Sequence, residues 1–261
     1  MARERDNTAE AKRTRVGADT YWLLSTRPLH VLVFLAPLVA LYELGSVFFL
    51  ADDKSGLSET IGARKILVDF FDAFGAATLY LPGVALVVVL MVWHLLERDR
   101  WAVRAGVLVG MAAESVLWTA PLLVLGLLLA QSGKAHAAAT SLDPLAALPW
   151  QGRLTLSIGA GLYEELLFRL ILIALVHFVL VDLARLRNTV GGVVAVLVSA
   201  VAFALYHDVS AAGGGIDLRL AGFYAVAGLY FALLFVLRGF GIVVAVHALY
   251  DVVVLVVVGS K

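Results

Sequence analysis

Residues 154–181 read LTLSIGAGLYEELLFRLILIALVHFVLV. At about 1.5 Å per residue this run is long enough to cross a bilayer core of about 30 Å as a helix. Its apolar residues are continuous rather than alternating, which argues against a half-buried strand. Yet Glu164, Glu165 and Arg169 sit close to its middle. A charged side chain at the centre of a membrane helix costs roughly 2.5–3.5 kcal/mol on the insertion scale. Such a helix cannot stand alone in lipid. It must turn its charged face toward other helices, so the stretch predicts an all-α, polytopic transmembrane bundle with a polar interior.

The rest of the chain agrees. Of 261 residues 62% are hydrophobic and 15% charged, and the mean hydropathy is +0.94. A soluble domain carries about 25% charged residues. About seven stretches are long enough to span: His30–Leu50, Phe74–Leu96, Ala105–Ala130, Leu154–Val181, Val190–His207, Leu220–Leu237 and Gly241–Val258. Ile66–Phe71 is an eighth apolar piece, read as re-entrant or interfacial. No cleavable signal peptide is apparent, since the first apolar run follows nearly thirty mostly polar residues. This divides the chain into a polar tail (1–29) with an interfacial Tyr21-Trp22-Leu23-Leu24 segment, N-terminal scaffold helices (30–152) and a C-terminal core (153–258). There is no cysteine, which excludes disulfides, thiol nucleophiles and thiolate-bound metals. The zero net charge gives no support for a nucleic-acid partner.

Orientation follows from Lys and Arg. With the N-terminus cytoplasmic, the inner segments hold Arg3, Arg5, Lys12, Arg13, Arg15, Arg27, Arg98, Arg100, Arg104, Arg185, Arg187 and Arg238. The outer ones hold Lys54, Arg64, Lys65, Lys134, Arg153, Arg219 and Lys261. The positive-inside rule favours this placement in the cell membrane. Gly213-Gly214-Gly215 reads as a flexible loop, and Gln131–Arg153, with Pro144 and Pro149, as a long connector.

Three helices carry the ionisable groups expected to converge on one interior site. Glu164, Glu165 and Arg169 lie on the fourth, His207 ends the fifth, and His247 and Asp251 lie on the seventh. At about 100° per residue, Glu165 and Arg169 share a face, while Glu164 is turned about 100° away. Glu165 is therefore expected to neutralise Arg169, leaving Glu164 free to act as a general base on water. His247 and Asp251, four apart, can face one cavity. Taken singly, each feature has a plainer reading: a charge cluster clamping helices, an interfacial histidine, a polar pair between helices.

The combination resembles the CPBP family of intramembrane proteases, the CAAX-protease and bacteriocin-processing group also called Abi. The family pattern is EExxxR, FxxxH and HxxxN or HxxxD. It is matched in order by Glu164-Glu165 with Arg169, Phe203 with His207, and His247 with Asp251. Asp251 departs from the asparagine of many members. The resemblance implies an endopeptidase acting on a membrane-anchored or lipid-associated protein or peptide. Glu164 and His207 would activate water, and His247 with residue 251 would stabilise the oxyanion. An ionised Asp251 has no proton to donate, so it would serve either protonated or by holding a cationic His247. No cofactor is expected. The alternative is a divalent metal such as zinc on Glu164, His207 and His247, although the HExxH arrangement of zincins is absent. The rival functions are a proton-coupled transporter and a catalytically idle scaffold or immunity protein of the same fold.

Among the other polar residues, Glu43 and Glu114 are expected to be protonated or paired, one of them with Arg169. His30, His94, His136 and His177 read as solvated residues near membrane edges or in loops. Trp22, Trp93 and Trp150 read as interface anchors, and Gly159 and Gly161 as sites of close helix packing.

Overall fold

A charged group in a bilayer has to be covered by protein, and the fold is arranged around that need. The computed structural model describes residues 20–50, 61–73, 75, 81–129, 148–211 and 214–259. Phe74, His136, Pro144 and Gly213 lie outside the described residues. The described helices are α1 (Tyr21–Leu24), α2 (Pro28–Phe49), α3 (Gly62–Ala73), α4 (Leu81–Glu97), α5 (Ala105–Leu129), α6 (Trp150–Leu183), α7 (Asn188–Tyr206), α8 (Leu218–Arg238) and α9 (Phe240–Val258). Six of them, α2 and α5 to α9, are long and apolar enough to cross a membrane, and Pro82–Glu97 within α4 is a shorter apolar helix. The chain is a multi-pass helical bundle. The amphipathic α3, at 12 residues, is too short to span, in keeping with an interfacial or re-entrant piece over Ile66–Phe71.

Pairwise contacts give the directions. The start of α2 meets the α4–α5 connector, where Arg27 pairs with Asp99 and the Arg104 amide donates to His30 Nε2. Arg153, at the start of α6, donates to the Leu255 and Gly259 carbonyls at the end of α9. Gly45 of α2 packs on Thr155, and Tyr42 on Gly159. So α2, α5, α7 and α9 run one way, and α4, α6 and α8 the other. Arg27, Arg98, Arg100, Arg104, Arg185, Arg187 and Arg238 gather at one end.

Lipid offers no hydrophobic drive between helices, so close approach at small residues has to supply the packing. A Cβ on Gly161 would lie 2.7 Å from the Val244 carbonyl oxygen and 2.8 Å from the Ala248 nitrogen, which presses α6 against α9. Gly159 serves α2 in the same way. The large side chains Leu117, Leu205 and Leu237 are exposed on the outside, as a bilayer solvent requires. Past Leu166, α6 loosens to π spacing as far as Ile173, a distortion found often at functional sites.

Several expectations for polar residues are corrected. His30 and His94 are buried rather than solvated: His30 accepts from Arg104, and His94 packs edge-on against Trp101. Neither Glu43 nor Glu114 contacts Arg169. Glu43 accepts from the Tyr163 hydroxyl at 2.7 Å. Glu114 accepts from Arg238 at the end of α8, from Tyr21 and from Trp118. Helix packing brings Tyr163 to Glu43 and Arg238 to Glu114, while Arg169 is held by Glu165 on its own helix. Gly214 and Gly215 both have positive φ, and Ser210 and Ile216 form an isolated antiparallel bridge.

Candidate active site

The connector 184–187 folds α7 back along α6, so residues equidistant from it face each other. Glu164 and His207 each lie 20 residues from their end of that connector. Glu164 Oε2 is 3.7 Å from His207 Nε2. Gly239, with φ of 80°, turns α8 into α9 in the same way. Phe231 and His247 are each eight residues from it, and their rings stack with centroids 4.6 Å apart. Two hairpins thus carry the two histidines to one place. His247 Nε2 is 3.9 Å from the same Glu164 oxygen and 3.6 Å from Asp251 Oδ2.

The histidine protons can be placed from their partners. His207 Nδ1 is 2.8 Å from the Phe203 carbonyl oxygen. A carbonyl only accepts, so Nδ1 donates and Nε2 is the nitrogen that faces Glu164. Residue 207 is the first beyond the helix, with extended φ and ψ, which swings its ring back under α7. His247 Nδ1 is 2.7 Å from Glu165 Oε1 and donates to it. The other oxygen, Glu165 Oε2, is 3.1 Å from Arg169 Nε, an ion pair with both side chains fully buried. The distance is short, yet the pair is not aligned as a hydrogen bond. Arg169 also donates to the Gly228 carbonyl at 3.3 Å and lies over the Phe203 ring at 4.3 Å.

Each motif residue therefore comes to the cluster, and each contact follows from helix register. Glu165 meets Arg169 as the i, i+4 spacing predicts. Glu164 points elsewhere, and its Oε2 is buried and accepts no hydrogen bond from the protein. The bond from His247 to Glu165 was not anticipated. It makes Glu165 a bridge between Arg169 and His247 rather than a partner of Arg169 alone. The antiparallel pairing of α6 with α9 was the missing piece, and Gly161, which meets the α9 backbone at Val244 and Ala248, was the signal available for its register. Among the described residues, no group of three or more His, Asp or Glu side chains is spaced to hold a metal ion. Just beyond the site and outside the spans, hydrogen bonds from the Ser210 hydroxyl and then its amide hold the exposed Asp208 carboxyl below the usual carboxylate range.

A carboxylate with a free oxygen between two imidazoles, backed by a buried guanidinium, can take a proton from water and stabilise a developing negative charge. No curated protein and no solved structure matches the chain. Residues 146–253 do match a family model described as Type II CAAX prenyl endopeptidase Rce1-like. That segment holds all three motifs and every side chain of the cluster. It agrees with the family resemblance drawn from the motifs and supports a membrane-embedded peptidase acting on membrane-associated peptides. Residues 146–253, then, are similar to the Rce1-like CAAX endopeptidase family.

Proposed function

We propose that this protein is a glutamate-dependent intramembrane endopeptidase that cleaves a peptide held at the bilayer by a lipid or apolar anchor. The observation that carries the reading is the Glu164 Oε2 atom, within 3.7 Å of His207 Nε2 and 3.9 Å of His247 Nε2 and without a hydrogen bond of its own. A water held between Glu164 and His207 gives one proton to the Glu164 carboxylate and points the other at Nε2. Its oxygen attacks the scissile carbonyl carbon, and the carbonyl π electrons move onto oxygen. His247 donates to that oxyanion from Nε2, its positive charge held by Glu165 on one side and Asp251 on the other. This is the role left to an aspartate where an asparagine would donate directly. The intermediate then collapses. The C–N bond breaks, and the leaving nitrogen takes the proton from Glu164.

The arginine-rich end is assigned to the cytoplasm by the positive-inside rule. His207 lies at the other end of α7, so the site opens to the opposite face. Because the chain has no cysteine, a single Ser210→Cys change reports this directly. Labelling of intact cells by a membrane-impermeant thiol reagent is expected, and protection would reverse the orientation.

The function is tested with purified protein in liposomes and two quenched fluorescent peptides. One ends in a prenylated cysteine followed by three residues, and the other carries an apolar transmembrane tail. Cleavage of either by the wild type and by neither in Glu164→Gln is the expected result. Activity that survives Glu164→Gln, or that tracks bound zinc and vanishes with a chelator, would overturn the metal-free glutamate mechanism.

A further inference from the structure

We propose that α8, which carries none of the motif residues, holds both imidazoles of the site in their working orientation through Tyr224 and Phe231; the catalytic significance of this rests on the peptidase reading above. Each histidine is fixed by a single hydrogen bond at Nδ1, to the Phe203 carbonyl or to Glu165. One such bond acts as a hinge. The ring can still swing about it, because the side-chain torsion that sets an imidazole plane is broad. A second contact with the ring face removes that freedom.

Phe203 and Tyr206 of α7 meet the histidine rings tilted or edge-on, and the stacked contacts with the ring faces both come from α8. The Tyr224 ring stacks on His207 at 4.0 Å with 22° between planes. Phe231 stacks on His247 at 4.6 Å and 18°. The two rings are seven residues apart, which at about 100° per residue brings them back to within about 20° of one face. Ala227 and Gly228 are buried between them. A Cβ on Gly228 would lie 2.8 Å from the Ala200 carbonyl oxygen and 3.1 Å from the Phe203 ring. That glycine lets α8 settle against α7 closely enough for stacking. Stacked ring contacts add attraction beyond the area they bury, enough to select one ring orientation without dominating the fold.

The seam is tested with Tyr224→Leu and Phe231→Leu, which keep apolar bulk and lose the plane, and with Tyr224→Phe, which keeps the plane and loses the hydroxyl. For the prenylated peptide in liposomes, both leucine variants are expected to lower kcat about 10–100-fold, the scale of a 1 Å misplacement, with KM little changed. Tyr224→Phe is expected to restore most of the loss. Imidazole nitrogen chemical shifts of the full chain, labelled with ¹⁵N-histidine in micelles, give a readout independent of cleavage. His207 is assigned by His207→Gln. The wild type is expected to show His207 protonated at Nδ1, and Tyr224→Leu an averaged signal that Tyr224→Phe does not show. If the wild type cleaves neither peptide while the shifts behave as stated, the peptidase reading fails and the seam stands. Wild-type shifts and kcat in Tyr224→Leu and Phe231→Leu, or a loss in Tyr224→Phe equal to that in Tyr224→Leu, overturn the seam. Should Tyr224→Leu not fold, Tyr224→Met and Phe231→Leu carry the same comparison.

Discussion

Among the described residues, two of the buried charge clusters are built differently. At the arginine-rich end, Arg238 donates to both oxygens of Glu114, at 2.5 and 2.7 Å, and to Ser25 at 3.1 Å. Glu114 accepts in addition from Tyr21 and Trp118, and the Trp22 ring lies 4.0 Å under the guanidinium. Burial, with the Glu114 carboxylate beside it, pushes the Tyr21 phenol up to about 12. Every charge in that cluster faces its opposite, and the group joins α1, α5 and α8. At the second cluster three carboxylates, two histidines and one arginine share a smaller space. Glu164 Oε2 has no donor, and two of the Arg169 nitrogens have no aligned acceptor. The first is a closed ion pair of the kind that fixes helix positions. The second leaves unused acceptor and donor capacity at one point, which a closed structural pair does not need. Burial of charge in a membrane is thus insufficient to mark a functional site, and what distinguishes the second cluster is open capacity on Glu164 beside two imidazoles.

The largest expected difference between the clusters is in turnover. Glu164→Gln keeps shape and polarity and removes the base, so peptide cleavage should fall by about 10²–10⁴-fold or more, with thermal unfolding in detergent unchanged. A destabilised Glu164→Gln variant would mean that this carboxylate, too, is structural. Glu114→Ala should do the reverse. Stranding Arg238 is expected to cost about 3–5 kcal/mol of stability, while the protein that does fold keeps its specific activity.

Glu165 belongs to both categories. Glu165→Ala should destabilise by a similar few kcal/mol because Arg169 is fully buried. The double variant Glu165→Ala with Arg169→Ala should recover part of that stability and none of the activity, since His247 still lacks its anchor. Recovery of activity along with stability would return Glu165 to a purely structural role.

The remaining effects are smaller. Gly161→Ala drives a methyl against the α9 backbone and should cost about 1–3 kcal/mol, measured as a lower Tm. Asp99→Asn, at the exposed edge of the arginine-rich end, should cost no more than about 1 kcal/mol. Partial burial raises the Asp99 pKa, but hydrogen bonds from Arg27 and the Arg100 amide outweigh it and hold it below the ordinary carboxylate range. A depressed folded-state pKa stabilises above the unfolded value and stops doing so as pH falls through the folded one. The wild-type advantage over Asp99→Asn should therefore be present at neutral pH and disappear in acid.

The helical bundle, its apolar stretches and the motif residues are readable in the sequence, because each depends on chemistry local to one helix. Apolar length sets the spans, and the cost of Glu164, Glu165, Arg169, His247 and Asp251 in lipid sends them inward. The i, i+4 spacing gives the Glu165–Arg169 pair. What the sequence left open depends on how separate helices meet. Glu114 and Arg169 are both candidates for each other by depth alone, and only the packing of α5 against α8 decides that Glu114 faces Arg238. His30 and His94 look solvated by position and are buried because the α4–α5 connector folds over them. The Glu165–His247 bond and the stacking of Tyr224 and Phe231 require the registers of α6 with α9 and of α7 with α8, which small residues at Gly161 and Gly228 fix through close backbone approach. A single helix reports its own period to the reader; the partner of each face is set by packing between helices, and that information resides only in the tertiary structure.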